Sequence, residues 1–356
     1  MPGWRMPGAY LRIVGIMALL PAHPSPAPPE APPHPPHAHT PVLTQPGPAQ
    51  ADAQPGPAQA DAQPGPAQAE AEADSAPWRA PTRERPRPAG GRRTYGLVAT
   101  DLDGTLLRAG DRVSARTRAA LELARGAGAR HIVVTGRPVP GVRGLLAALG
   151  YEGIAVCGQG AQVYDTASGR MLSALTLDRE TAATALGKIE AETGALYAAV
   201  DQDGTDGHTL IEPGYRMAHP TLPARPVPHR DALWERPIAK VLVRHPELTD
   251  DELAATARSA VDGLATVTMA GPGTVELQPL GVTKATGLAR AAELLGLGPA
   301  DTLAFGDMPN DVPMLQWAAH GVAMANSHPE LLAVADEITT SNEEDGVARV
   351  LERVYG

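Results

Sequence analysis

Proline placement limits this chain more than any other feature of its sequence. Of its 37 prolines, 22 fall before Tyr95. Proline has no backbone N–H and breaks helix interiors, so a segment this dense builds neither helices nor sheets. The folded part is therefore expected over residues 95–356, with residues 1–94 a disordered Pro/Ala/Gly-rich tail. That leaves room for one large core and a smaller one. Three nonapeptides begin at Gln45, Gln54 and Gln63, reading QPGPAQADA, QPGPAQADA and QPGPAQAEA. They have no side chains to stack into a solenoid and read as a flexible or polyproline-like linker. The tail histidines (His23, His34, His37 and His39) read as incidental. The arginines from Arg83 to Arg93 read as a solvated hinge.

The apolar run Ile13 to Leu20 follows Arg5 and Arg12. It is too short to span a bilayer, which takes roughly 20 residues. No small-x-small cleavage site follows at Pro21-Ala22-His23-Pro24. The expected location is cytoplasmic and without stable membrane insertion; export through this weak N-terminal signal is the alternative. The formal charge is −10, and the tail, with 8 basic and 7 acidic residues, is near neutral. The acidic excess thus belongs to the folded part, which argues against general nucleic-acid binding and against an anionic membrane surface. Cys157 is the single cysteine. It excludes an intrachain disulfide framework and a multi-cysteine zinc site, and its apolar strand makes it a packing residue. Phe305 is the only phenylalanine, so the core must be mostly Leu, Val and Ala. Nothing in the sequence fixes an oligomeric state.

From Leu97 the pattern alternates short apolar runs with helical stretches. Strands are expected at Leu97–Thr100, Ile132–Val134 and Ile154–Cys157. Helices lie between them, the first capped by Ser114 and stopped by Gly126 and Gly128. Later come a helix at Ala285–Leu295, a strand at Thr302–Phe305, a helix near Val312–Ala319, a strand at Val322–Met324 and a final helix. This rhythm predicts an α/β fold: a Rossmann-like parallel sheet with helices on both faces. Residues 176–275 break the rhythm. They predict a helix at Asp178–Glu192, strands at Leu196–Val200, His208–Ile211 and Ile238–Val243, then a capping box at Thr249 to Glu252 opening a second helix. Strands at Ala265–Met269 and Thr274–Gln278 follow. Grouped strands with two helices predict an inserted α+β cap, with the catalytic core made of residues 95–175 and 276–356. The polar turn Asp201–Gly207, with His208, is a candidate specificity patch or an exposed loop.

Four motifs carry chemistry, and three follow predicted parallel strands, where open α/β sheets bind ligands. Asp101-Leu102-Asp103-Gly104-Thr105 places two carboxylates two residues apart, with a glycine that lets the chain turn sharply. Thr135-Gly136-Arg137 sets a hydroxyl at a strand end before a glycine, a natural donor to phosphate oxygens. Lys284 opens a helix, where its charge opposes the helix dipole unless an anion sits nearby. Gly306-Asp307-Met308-Pro309-Asn310-Asp311 gathers hard oxygen ligands suited to Mg²⁺.

In this order the motifs resemble those of the haloacid dehalogenase-like (HAD) superfamily. The insert between the second and third motifs is similar to the cap of its Cof-type (HAD-IIB) branch. The resemblance covers about residues 95–356. It implies a phosphoric monoester hydrolase using Mg²⁺ and a small-molecule phosphomonoester, such as a sugar phosphate or similar metabolite. It makes Asp101 the nucleophile of an aspartyl-phosphate mechanism and Asp103 the general acid and base. It gives Thr135, Gly136, Lys284 and Asn310 to substrate binding. It gives the metal to Asp101, Asp307, Asp311 and the Asp103 backbone carbonyl. Gln159-Gly160-Ala161 departs from the branch's usual Asn-Gly-Ala, with Gln offering similar hydrogen bonds on a longer arm. Arg137 is open to two readings, substrate contact or bracing of the second motif. Phosphomutase or phosphotransferase activity, and a non-catalytic phospho-ligand-binding regulator, are the alternative functions.

Overall fold

The computed structural model describes residues 94–217, 223–271 and 273–356. The expectations for residues 1–93, including the repeats and the apolar run, lie outside them. Among the described residues, no helix is long and apolar enough to cross a membrane.

Strands β1 (Leu97–Thr100), β2 (Arg130–Val134) and β3 (Ile154–Cys157) pair in parallel, with α1 (Ala115–Gly126) and α2 (Val139–Ala148) as crossovers. Ser114 caps α1 through its hydroxyl, which accepts the Thr117 N–H at 3.0 Å. After β3 the chain doubles back through β4 (Gln162–Asp165) and β5 (Arg170–Ala174), an antiparallel hairpin. The sequence reading did not anticipate it. The outer strand β5 buries no residue, so it carries little apolar signal.

The insert follows: α3 (Arg179–Thr193), β6 (Tyr197–Gln202), β7 (Thr209–Ile211), β8 (Ala224–Pro226), β9 (Ile238–Arg244), α4 (Asp250–Ala260), β10 (Ala265–Gly271) and β11 (Thr274–Pro279). Its strands form a sheet of order β10-β11-β9-β6-β7-β8. Val241, Val243, Val275, Leu277, Ala198 and Val200 pack with Leu186 and Ile189 of α3 and Leu253 of α4. Side chains alternate across a strand, so Lys240, Leu242 and Glu276 take the opposite face. Because β11 runs to Pro279, Glu276, expected in the core, belongs to the inserted sheet. Asp201 and Gln202, expected in a turn, extend β6.

The chain then returns to the first sheet through α5 (Lys284–Glu293), β12 (Thr302–Gly306), α6 (Val312–Trp317), β13 (His320–Ala323), α7 (Pro329–Leu332), β14 (Glu337–Ile338) and α8 (Gly346–Tyr355). That sheet has the order β14-β13-β12-β1-β2-β3-β4-β5, parallel from β14 to β3. Val98, Val133 and Phe305 pack on one face with α1, α2 and α8. Leu97, Ala99, Ile132 and Ala304 pack on the other with α5 and α6. The Rossmann-like α/β layering is thus as the sequence predicts. Each fully buried Leu, Val or Phe contributes about 1.5–3 kcal/mol against solvent exposure.

Candidate active site

The register sets Thr100 opposite Phe305, so the loops that leave β1 and β12 emerge side by side at one sheet edge. The Asp101 N–H donates to the Phe305 carbonyl at 3.0 Å and ties the two loops together. Beyond Asp101 the chain makes one π turn, Leu102–Leu106, in which Leu107 N–H donates to the Leu102 carbonyl at 2.8 Å. The two carboxylates thus leave a tight turn rather than an extended segment, yet both face the same cavity. Gly104 has φ 75°, and a Cβ there would collide with the Asp307 carboxylate. The glycine therefore lets the first and last motifs touch.

Lys284 is the first residue of α5, at the end that repels a cation. Its Nζ donates to Asp101 Oδ1 and to Asp311 Oδ1, each at 2.7 Å, and the side chain is only 1% exposed. Burial alone would lower the Lys284 pKa, but the two carboxylates hold it above its ordinary value. The helix reaches this position because Gly287 lies against Gly160 with no room for a Cβ. Asp311 Oδ2 accepts the N–H groups of Asp307 and Met308, both at 3.1 Å, which shapes the loop after β12. Asp307 Oδ1 accepts the Thr105 hydroxyl at 2.8 Å.

Asp101, Asp307 and Asp311 are buried and bring one oxygen each within 4.8 Å of the others. Burial raises the Asp101 pKa well above its ordinary value, with Lys284 opposing and Asp311 and Asp307 adding to the rise. Burial, then Asp311, raises the Asp307 pKa to about 7. Three carboxylates face one ammonium, so the cluster is short of positive charge.

Asp101, Asp103, Gly136, Lys284, Asp307 and Asn310 line one cavity of about 450 Å³. Thr135 stands behind its wall, fully buried, with its hydroxyl accepting the Arg137 N–H at 3.1 Å. Asp311 is likewise fully buried.

A family model described as haloacid dehalogenase-like hydrolase matches residues 98–351. The chain belongs to the haloacid dehalogenase-like hydrolases. YxeH of Bacillus subtilis is 30% identical over 272 residues, spanning 73% of this chain and 98% of its own. An HMP-PP phosphatase of Yersinia pseudotuberculosis is 30% identical over 267 residues, spanning 72% of this chain and 94% of its own. Among solved structures, a haloacid dehalogenase-like hydrolase from Bacteroides thetaiotaomicron is 25% identical with a TM-score of 0.58. It covers 74% of this chain and 100% of its own. The resemblance read from the four motifs, down to the Cof-type branch, therefore holds.

In this haloacid dehalogenase-like hydrolase the insert supplies much of the cavity wall, through Tyr215, Met217, Lys240, Leu242, Thr274 and Glu276. The Lys240 ammonium donates to the Gly136 carbonyl at 3.0 Å and pairs with Glu276. Gln159, where the branch usually has Asn, donates from Nε2 to Glu276 Oε2 at 2.8 Å. Its Oε1 accepts Asn310 Nδ2 at 2.9 Å. Sequence reasoning missed Lys240 and Glu276. The available signal was a charged residue interrupting each of two apolar strands, Ile238–Arg244 and Thr274–Pro279. The turn at Asp201–Gly207 with His208, open to reading as a specificity patch or an exposed loop, does not line this cavity. Asp201 is instead buried, accepting the Thr209 hydroxyl at 2.5 Å. Cys157 is fully buried, and desolvation pushes its thiol up to about 12, which fits packing rather than reactivity.

Proposed function

We propose that this hydrolase cleaves small phosphomonoesters, sugar phosphates or similar metabolites, with Mg²⁺ and through an aspartyl-phosphate on Asp101. The observation that carries the reading is Lys284 bonded to both Asp101 and Asp311 in the cavity wall. An ammonium held there reduces the repulsion between an attacking carboxylate and a phosphoryl group. The phosphatase name of the Yersinia relative supports the same reaction class.

Asp101 attacks phosphorus, and the ester P–O bond breaks. Asp103 gives its proton to the leaving oxygen, which departs as an alcohol. The Asp103 carboxylate then takes a proton from water, whose oxygen attacks phosphorus. The Asp101–phosphorus bond breaks, releasing inorganic phosphate and restoring both carboxyl groups. Gly136, two residues past β2, and Asn310 border the space available to the phosphoryl oxygens. The insert acts as a cap over the leaving group, and its wall selects substrates.

The residues present fit a divalent cation. Asp101, Asp307 and Asp311 supply hard oxygen donors, and their excess negative charge calls for one; the Asp103 carbonyl would be the further ligand. When bound, Mg²⁺ would neutralise charge on the nucleophile and the phosphoryl oxygens.

A phosphate-release screen over a panel of metabolite phosphates tests the reading. Release from one or more monoesters, with the alcohol as co-product, is expected. Transfer of phosphate to a second sugar without release would replace hydrolysis by phosphotransfer.

A further inference from the structure

Asp103 does not hang free in the cavity. Its side chain is 52% exposed, but Arg137 grips it with two teeth. Arg137 Nε donates to Asp103 Oδ2 at 2.9 Å, and Nη2 donates to Asp103 Oδ1 at 2.5 Å. The same Nη2 donates to Asp111 Oδ1 at 2.9 Å. Arg137 itself is only 16% exposed, and its backbone is pinned at the end of β2 by the Thr135 hydroxyl. Asp111 sits at φ 55°, a left-handed conformation that Asp tolerates better than most side chains. That turn directs its carboxylate at the guanidinium. Arg137 thus bridges two loops, one after β1 and one after β2.

What this bridge does follows from magnitudes. A pair with one partner half exposed contributes only about 0–1 kcal/mol to stability. A two-toothed guanidinium–carboxylate pair nevertheless fixes the plane of the carboxylate, which a single contact does not.

We propose that Arg137 is a positioning residue for proton transfer by Asp103, with Asp111 holding the guanidinium through the same Nη2 that bonds Asp103. This rests on Asp103 being the general acid of the reaction proposed above. The proton passes from the Asp103 carboxyl to the ester oxygen as the P–O bond breaks, and Arg137 neither gives nor takes one.

Leaving-group dependence separates this role from phosphate binding. Phenyl phosphate and para-nitrophenyl phosphate have nearly the same shape, but phenolate is the poorer leaving group and needs the acid more. In Arg137→Met, kcat/KM on phenyl phosphate should fall about tenfold more than on para-nitrophenyl phosphate, a part of the usual general-acid contribution. Asp103→Asn should show the same split, and larger. Asp111→Ala, which leaves Arg137 in place, should show it in weaker form and covers the case in which Arg137→Met does not fold. Equal losses on both esters in Arg137→Met and in Asp111→Ala, beside a split in Asp103→Asn, would overturn the positioning role and leave the phosphatase reading intact. Equal losses in Asp103→Asn would remove its acid role, and this inference with it. No turnover by the unaltered enzyme of either ester, nor of any monoester in the metabolite panel, would overturn both.

Discussion

The Gln159 side-chain amide donates to the Glu276 carboxylate at 2.8 Å, joining the turn after β3 to the inserted sheet. The same amide accepts from Asn310 at 2.9 Å, so one side chain links the insert to the loop after β12. Lys240 completes the seam through the Gly136 carbonyl. One hydrogen-bond network therefore joins the insert to the loops after β2, β3 and β12.

Gln159→Asn shortens the arm by one methylene and should break this link. A hydrogen bond to a charged group contributes about 1.5–3 kcal/mol, so kcat/KM should fall by roughly tenfold or more, with the fold intact by circular dichroism. Unchanged kinetics would show that the seam has no bearing on catalysis.

Lys284→Met leaves Asp101 and Asp311 buried without their ammonium. Breaking a buried pair costs about 3–5 kcal/mol, and that loss should appear in chemical denaturation performed in EDTA. Added Mg²⁺ should return part of it by replacing the missing charge. Equal stability of variant and parent in EDTA would mean that the lysine is not paired as described.

Turnover should stop in EDTA and return with Mg²⁺. At a hundredfold excess over Kd, Mg²⁺ should raise Tm by about 5–10 °C, because it binds the folded chain alone. Asp307→Asn should lose most of this rise. Full activity in EDTA would remove the metal from the mechanism.

His131, on β2, lies with Nε2 2.8 Å from the Thr100 hydroxyl and its ring edge-on to Tyr151. Burial lowers its pKa from the ordinary 6.5 to about 4. The unfolded chain therefore takes up a proton that the folded chain refuses. Stability from this group is complete above pH 6.5 and declines as pH falls towards 4, by up to about 3 kcal/mol. Urea denaturation of His131→Asn should show a shallower loss across that window; an identical slope would contradict the assignment.

Much of this arrangement was legible in the sequence because the catalytic motifs follow strands. Asp101 and Asp307 trail β1 and β12, and parallel neighbours end at the same edge, so the motifs had to meet once the strands were found. Lys284 was readable only through its place in the order of the four motifs, since a lone lysine at a helix start is usually a surface residue. The bond from Gln159 to Glu276 was not readable, because 117 residues separate its ends and no periodicity links them. The grip of Arg137 on Asp111 depends on a left-handed turn at a non-glycine residue, which composition does not announce. The hairpin β4–β5 escaped notice because its outer strand buries nothing.

In the proposed reaction Asp101 itself takes the phosphoryl group. The most direct measurement is acid quenching during turnover of para-nitrophenyl phosphate, followed by peptide mass spectrometry. A phosphoryl group on the peptide containing Asp101, removable by hydroxylamine and absent in Asp101→Asn, is the predicted result. Steady turnover with the label on another residue, or with Asp101→Asn as active as its parent, would contradict it.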